Sequence, residues 1–407
     1  MQALHNLRGA FDPDGPSWEF SAYWTQPGPG VVFSILLLVG GDVVSRTLAQ
    51  LAGSGLTPVA LSFGWASYAS TALVSAIGEK RLMPTPDCAC QVINASSGYV
   101  RDNSNWILSR IVRDFEDWAD HGKKDGPIQR RVEEIRNDAW ESAKARPEKK
   151  ETCASTSVEK PLRAGLCVSV YEAGHANIGY AGSDWIYWTG FGTILLQLGI
   201  AAIPYVVFSD SAILLITVLG NTLSLITGSL SQWTREKWAC RQQATKVTVL
   251  TKGNGSQHAI VVMSKGKGLD LEDLATSSTR LDIITSVKLR IFIGILAGLW
   301  ILLLIVAAGI QKNTGFLLAI GALGTLQNVI VAGVWRYPKD FGVPLEFNEV
   351  IADKKVMPAL YAVESKYPGV GRSMLNTFFP GMLREDEEKK WKEFEDIANA
   401  VDKASKS

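Results

Sequence analysis

A chain of 407 residues with 41 Lys+Arg against 40 Asp+Glu, and a mean hydropathy of +0.09, has no basic excess with which to wrap nucleic acid. These averages resemble those of a water-soluble enzyme, but they conceal six apolar runs almost free of charge, separated by segments of ordinary soluble-protein chemistry. Each run approaches the roughly 20 residues needed to cross a ~30 Å hydrocarbon core, which excludes a purely soluble protein.

Residues 1–30 hold Trp18, Phe20, Tyr23 and Trp24, read as interfacial aromatics ahead of a first span. They lack a basic stretch leading into a cleavage site, so no cleaved signal peptide is expected. Residues 31–77 form the first expected transmembrane hairpin, turning at 52–56. Its second span, 57–77, is rich in small and hydroxyl residues (Ser62, Gly64, Ser67, Ser70, Thr71, Ser75) and suits packing on protein rather than lipid. Asp42 and Arg46 lie four apart on the first span, on one helical face, where they can pair. Two readings stay open for this intramembrane polar pair. It is a self-neutralising contact, or Asp42 is a proton donor or substrate contact in a polar cavity, which makes it the best catalytic candidate in the chain.

Residues 78–184 read as a helical region. Trp106, Ile107, Ile111, Val112, Phe115 and Trp118 recur at helical spacing, residues 121–127 break the pattern, and a charged helix follows over 128–144. Asp114, Glu116, Asp117 and Asp120 are similar to the aspartate-rich magnesium motif of class I terpene synthases, but acidic residues on a solvated helix face are routine. Cys88-Ala-Cys90 is too tight for a zinc knuckle, and no matching pair follows, so no metal and no cofactor is expected. Residues 146–160 read as a linker.

The second hairpin, 185–230, contains Pro204 and two polar groups that need interhelical partners, Gln197 and Asn221. In 231–290, the tryptophan-flanked exit Gln232-Trp-Thr-Arg-Glu-Lys-Trp238 is followed by β-branched runs at 246–250 and 259–263. They predict a small β-hairpin around Lys252-Gly-Asn-Gly-Ser-Gln257. That loop lacks the strand-to-helix context and GK[ST] ending of a phosphate loop, so it reads as a turn, with His258 beside it as a structural histidine. An acidic segment follows at 268–274. The third hairpin, 291–335, carries Gly294-Ile-Leu-Ala-Gly298, expected to let helices approach closely, and Gln327 and Asn328. Residues 336–407 form a C-terminal helical region ending in a charged amphipathic helix, 385–403, with Trp391, Phe394, Ile397, Ala398 and Val401 on one stripe.

All basic residues except Lys312 and Arg46 lie in segments assigned to one face, which the positive-inside rule makes cytosolic, with both termini there. The five cysteines share that face, where thiols stay reduced. Sugar on the Asn94 or Asn254 sequon would invert the assignment. The expected fold class is therefore mainly α: a polytopic membrane protein of about six transmembrane helices in three hairpins, with cytosolic helical segments and one small β-hairpin.

No GxSxG, HExxH or GxxxxGK[ST] motif is present, and four histidines are too few for di-iron oxidation chemistry. The blocks Asp184-Trp-Ile-Tyr-Trp-Thr-Gly-Phe-Gly192, Gln197-Leu-Gly-Ile-Ala-Ala-Ile-Pro204, 232–241, 252–258 and 268–275 resemble a group of fungal multi-pass membrane proteins. Some of these are similar to the integral membrane "protein A" component of paxilline-type indole-diterpene biosynthesis. The resemblance supplies no catalytic residues. It implies an endomembrane protein, in the endoplasmic reticulum by default, that assists a separate membrane cyclase in making a terpenoid. Its partners would be the lipid bilayer and such membrane-bound enzymes. A membrane-embedded cyclase using an intramembrane acid, or a small-molecule transporter or channel, are the alternatives.

Overall fold

The computed structural model describes residues 29–78, 81–120, 123, 125–144, 159–163, 165–277 and 286–405. The N-terminal aromatics and nearly all of the 146–160 linker fall outside them. In chain order the elements are α1 (Pro29–Leu51), α2 (Gly64–Ile77), β1 (Gln91–Asn94), β2 (Val100–Asp102), α3 (Trp106–Arg113), α4 (Phe115–Trp118), α5 (Pro127–Lys144), β3 (Leu166–Ala173), α6 (Trp185–Phe208), α7 (Ala212–Gly228) and α8 (Ser231–Lys237). There follow β4 (Val247–Thr251), β5 (His258–Met263), α9 (Leu271–Ala275), α10 (Val287–Ala308), α11 (Thr314–Gly333), β6 (Leu345–Asp353), α12 (Val356–Lys366), α13 (Val370–Phe378) and α14 (Glu385–Ser405). They divide into a helical unit (residues 1–84, 178–238, 280–334) and a sheet unit (85–177, 239–279, 335–407).

Among the described residues of the helical unit four helices are long and apolar enough to cross a membrane: Trp185–Phe208, Ala212–Lys237, Val287–Ala308 and Thr314–Gly333. Their outward faces expose Leu195, Leu219, Ile295, Ile305 and Val329, as lipid-facing positions require. The α6–α7 and α10–α11 turns lie at the same end of the bundle, where Asn313 Nδ2 donates to Asp210 Oδ2 at 3.1 Å.

The first hairpin departs from the sequence expectation. Residues 57–62 form neither helix nor strand, Phe63 already has helical backbone angles, and α2 is a helix of only 14 residues. Pro58 has no N–H to give a helix and biases Thr57 toward extended backbone. The turn at 52–56 also sits at the end opposite to the one expected. Lys237 Nζ donates to the carbonyls of Gln50 (3.2 Å) and Ala52 (2.9 Å), and Gln50 Nε2 donates to Val334 O (2.9 Å). The C-terminal ends of α1, α8 and α11 are therefore together. From there the non-helical segment runs antiparallel to α7, with Thr57 bonded to Gly228 and Val59 to Ser224. The chain returns through α2, where Trp65 stacks on Trp300 at 4.9 Å, and Glu236 accepts the N–H groups of Leu82 and Met83. Residues 52–84 thus enter the bundle and leave it at one end.

The sheet unit is larger in β-structure than the single hairpin expected. β4 and β5 pair as predicted, Val247 opposite Met263, but they lie inside a six-stranded sheet of order β2-β1-β4-β5-β3-β6. Only β3–β5 is parallel; the other pairings are antiparallel. The region 78–184, expected to be helical, contributes β1, β2 and β3 alongside the helices α3–α5. One sheet face packs Val168, Val170, Val249 and Val261 on Leu360, Val363, Met374 and Trp391 of α12–α14. On the other face Trp118 of α4 meets Tyr171 at 5.4 Å, and Phe115 meets His258 at 5.1 Å. Of the C-terminal stripe, Trp391 is buried in this core, while Ile397 is exposed.

Candidate functional site

Within the helical unit the distinctive feature is the non-helical segment 57–62. Backbone outside a helix has no internal partners, and lipid supplies none, so such a segment survives at membrane depth only when protein groups satisfy it. Asn221 Oδ1 accepts the Leu61 N–H at 3.0 Å, and Gln197 Nε2 donates to Leu61 O at 2.7 Å and Ile320 O at 2.9 Å. Trp65 Nε1 donates to Ala60 O at 3.0 Å, and Asn328 Nδ2 to Ser62 Oγ at 3.1 Å. Of the polar residues expected to join helix to helix, Gln197 does so at Ile320 O of α11 and also holds this segment, while Asn221 and Asn328 hold the segment. Gln327 is the exception, its buried amide making no hydrogen bond among the described residues.

Glycines make room for the segment. A Cβ on Gly190 would lie 1.9 Å from Pro58 O, and one on Gly324 would lie 1.8 Å from Leu61 O. In contrast, the Gly294/Gly298 pattern does not mediate a close approach: Gly298 has open space around it, and Gly294 has only Leu73 at 3.8 Å. The close helix contact falls at Gly40 and Gly64, where an added Cβ would be 2.3 Å from the opposing backbone. Beside the segment lies an apolar cavity of about 40 Å³, lined by Trp65, Ile216, Trp300 and Leu317 among others. Lacking polar partners, it would stay dry.

Asp42 and Arg46 form the expected ion pair, Arg46 Nε to Asp42 Oδ2 at 2.9 Å. Their side chains are 70% and 42% exposed on the outside of α1. The position does not enclose Asp42 in an apolar cavity of the kind an intramembrane acid requires.

In the sheet unit the acidic cluster of α3–α5 is divided among separate tasks. Asp114 pairs with Arg113 at 2.6 Å, Glu116 faces His258 Nε2 at 3.5 Å, and Asp120 accepts the N–H groups of Ile128 and Gln129 at the start of α5. Among the described residues no three His, Cys, Asp or Glu side chains converge to hold a metal. The Cys88 thiol donates to Ser109 O, and burial raises its pKa; burial pushes Cys90 up to about 12, so neither is poised as a thiolate. Arg110 is wholly buried against Asp87 at 2.9 Å, and burial lowers its pKa.

The turn over 252–257 forms between β4 and β5, with Gly253 and Gly255 at φ of 93° and 81°, which explains both glycines. It borders a polar cavity of about 250 Å³ that also receives Arg113 and Glu116 from α3–α4, Arg163, and His258. Sequence reading singled out the loop and the histidine separately, and missed Arg163. Compared with known proteins, the chain matches no family model, no curated protein and no solved structure.

Proposed function

We propose that the chain is an integral membrane accessory or scaffold protein of a lipophilic, terpenoid-type biosynthetic pathway in a fungus. Its helical unit would seat it in an endomembrane, the endoplasmic reticulum by default, with the sheet unit on the cytosolic face beside a membrane-bound cyclase. The observation supporting this reading is how little open space the bundle interior holds among the described residues. The segment 57–62 occupies the space between α6, α7 and α11, and a dry cavity of about 40 Å³ is too small for a terpenoid or a solute path. The pathway assignment, indole-diterpene synthesis included, rests on the sequence resemblance. We further take α1, at 23 residues, as a fifth span, and residues 52–84 as a re-entrant segment in place of a sixth.

Deletion of the gene followed by complementation tests the reading. Loss of the terpenoid product on deletion, restored by Asp42→Asn at unchanged protein level, is expected. Failure of Asp42→Asn to restore product would turn the assignment toward an intramembrane acid catalyst. Solute flux across vesicles holding only this protein would turn it toward a transporter.

A further inference from the structure

The polar cavity of the sheet unit goes beyond the accessory-protein reading and stands without it. Its arginine from α3, Arg113, is neutralised by Asp114 and Asp87 at 2.6 and 3.2 Å. Its other two cations, Lys252 and Arg163, make no ion pair among the described residues. Two side-chain nitrogens of the lining residues, Gln257 Nε2 and His258 Nδ1, have no hydrogen-bond partner among the described residues, but both atoms are closed to solvent behind the cavity wall. Lys252 and Arg163 are both exposed, so the cavity presents open cationic groups to solvent, which suits an acceptor-rich anion. Glu116 is the carboxylate among the described lining residues; it faces His258 Nε2 at 3.5 Å, and that hydrogen bond, with the charges of Lys252 and Arg163, holds its pKa below the ordinary value.

We infer that this cavity binds a phosphoryl anion, with Lys252 and Arg163 supplying charge. Arginine matches the geometry of phosphate oxygens through its planar fork, and lysine adds a mobile point charge. At about 250 Å³ the cavity accommodates a small phosphorylated group rather than a drug-sized molecule. The loop is not a phosphate loop of the nucleotide-binding kind, because β5 and not a helix follows Gln257. The ligand is either a free phosphate ester or a phosphorylated lipid headgroup, which share this chemistry.

The test is calorimetric titration of inorganic diphosphate into the full chain in nanodiscs of neutral phosphatidylcholine at low ionic strength. Binding is expected, weakened about tenfold by Lys252→Gln or Arg163→Gln, since each removes a charge-assisted contact. Glu116→Gln should tighten it by removing the repelling carboxylate, and Lys265→Gln, on an exposed lysine paired with Glu172, should leave it unchanged. Discs containing a phosphoinositide distinguish the sources: blocked diphosphate binding identifies a headgroup site, and unaltered binding a free ester. No binding at millimolar diphosphate, or equal affinity in the wild type and in well-folded Lys252→Gln and Arg163→Gln proteins, overturns the inference.

Discussion

Asn221 accepts the backbone N–H of Leu61 at 3.0 Å, joining the middle of the long apolar helix α7 to the non-helical segment 57–62. Both partners are buried, so the bond replaces one that neither lipid nor a helical neighbour could supply. Asn221→Leu should leave that N–H orphaned and cost roughly 1–3 kcal/mol. The loss is checked by thermal unfolding in detergent. A variant as stable as the wild type would show that the segment does not depend on this contact.

Gly324 and Gly190 face backbone oxygens of the same segment at distances no Cβ tolerates, 1.8 and 1.9 Å. Moving a backbone that is bonded on both sides is costly, so Gly324→Ala is expected to destabilise by about 1–3 kcal/mol or more. Gly298→Ala, on open space, should be neutral. The two are compared by retention of monodisperse protein after heating.

How far the sequence carried the fold follows from where each restraint originates. The four long apolar helices α6, α7, α10 and α11 were legible because apolar length alone marks a candidate span. The first hairpin was not, because segment 57–62 is permitted by Gln197, Asn221 and Asn328, which lie far away in the chain. Its local traces were Pro58 and the serine-rich composition, which read equally well as a packed helix. In the sheet, the β4–β5 pairing was visible in β-branched runs, whereas β3, buried on nearly every residue, shows no alternation that separates a strand from a buried helix. The loop at 252–257 and His258 were noticed singly, but only the fold brings Glu116 and Arg163 to them.

Glu272 is the acidic hub of the sheet unit. Burial alone would raise its carboxyl, but hydrogen bonds from Lys246, Arg101 and Asn94 outweigh burial and bring it to about 2. The unfolded chain releases this proton near the ordinary glutamate value of about 4.3. A folded pKa below the unfolded one gives stability that is fully present above about pH 5 and is lost as pH falls toward 2. Glu272→Gln should therefore lower stability at pH 7 and flatten its decline between pH 5 and 3. Urea unfolding across that range, followed by tryptophan fluorescence, measures the slope. Parallel curves for wild type and variant would remove Glu272 from the acid sensitivity.

The last prediction concerns which way the N-terminus faces. The C-terminal end of α1 lies with the ends of α8 and α11, and Gly40 is level with Gly64 at the inner end of α2. A helix of 23 residues is about 35 Å long at 1.5 Å per residue, so its start reaches the opposite end of the bundle. Residues 1–28 contain a single basic residue, Arg8, against Asp12, Asp14 and Glu19, which the positive-inside rule favours on the non-cytosolic face. On the five-span reading proposed above, the two termini would lie on opposite faces, where six spans would put both in the cytosol. An engineered acceptor sequon ahead of Arg8 should be glycosylated, while one after Ser407 should not. Asn254 is exposed and should stay bare, because its unit would face the cytosol; Asn94 is 6% exposed and bonded to Glu272, so it reports nothing. An unmodified N-terminal sequon, with both termini accessible to protease in sealed microsomes, would restore the six-span arrangement. Sugar on Asn254 would invert the whole bundle.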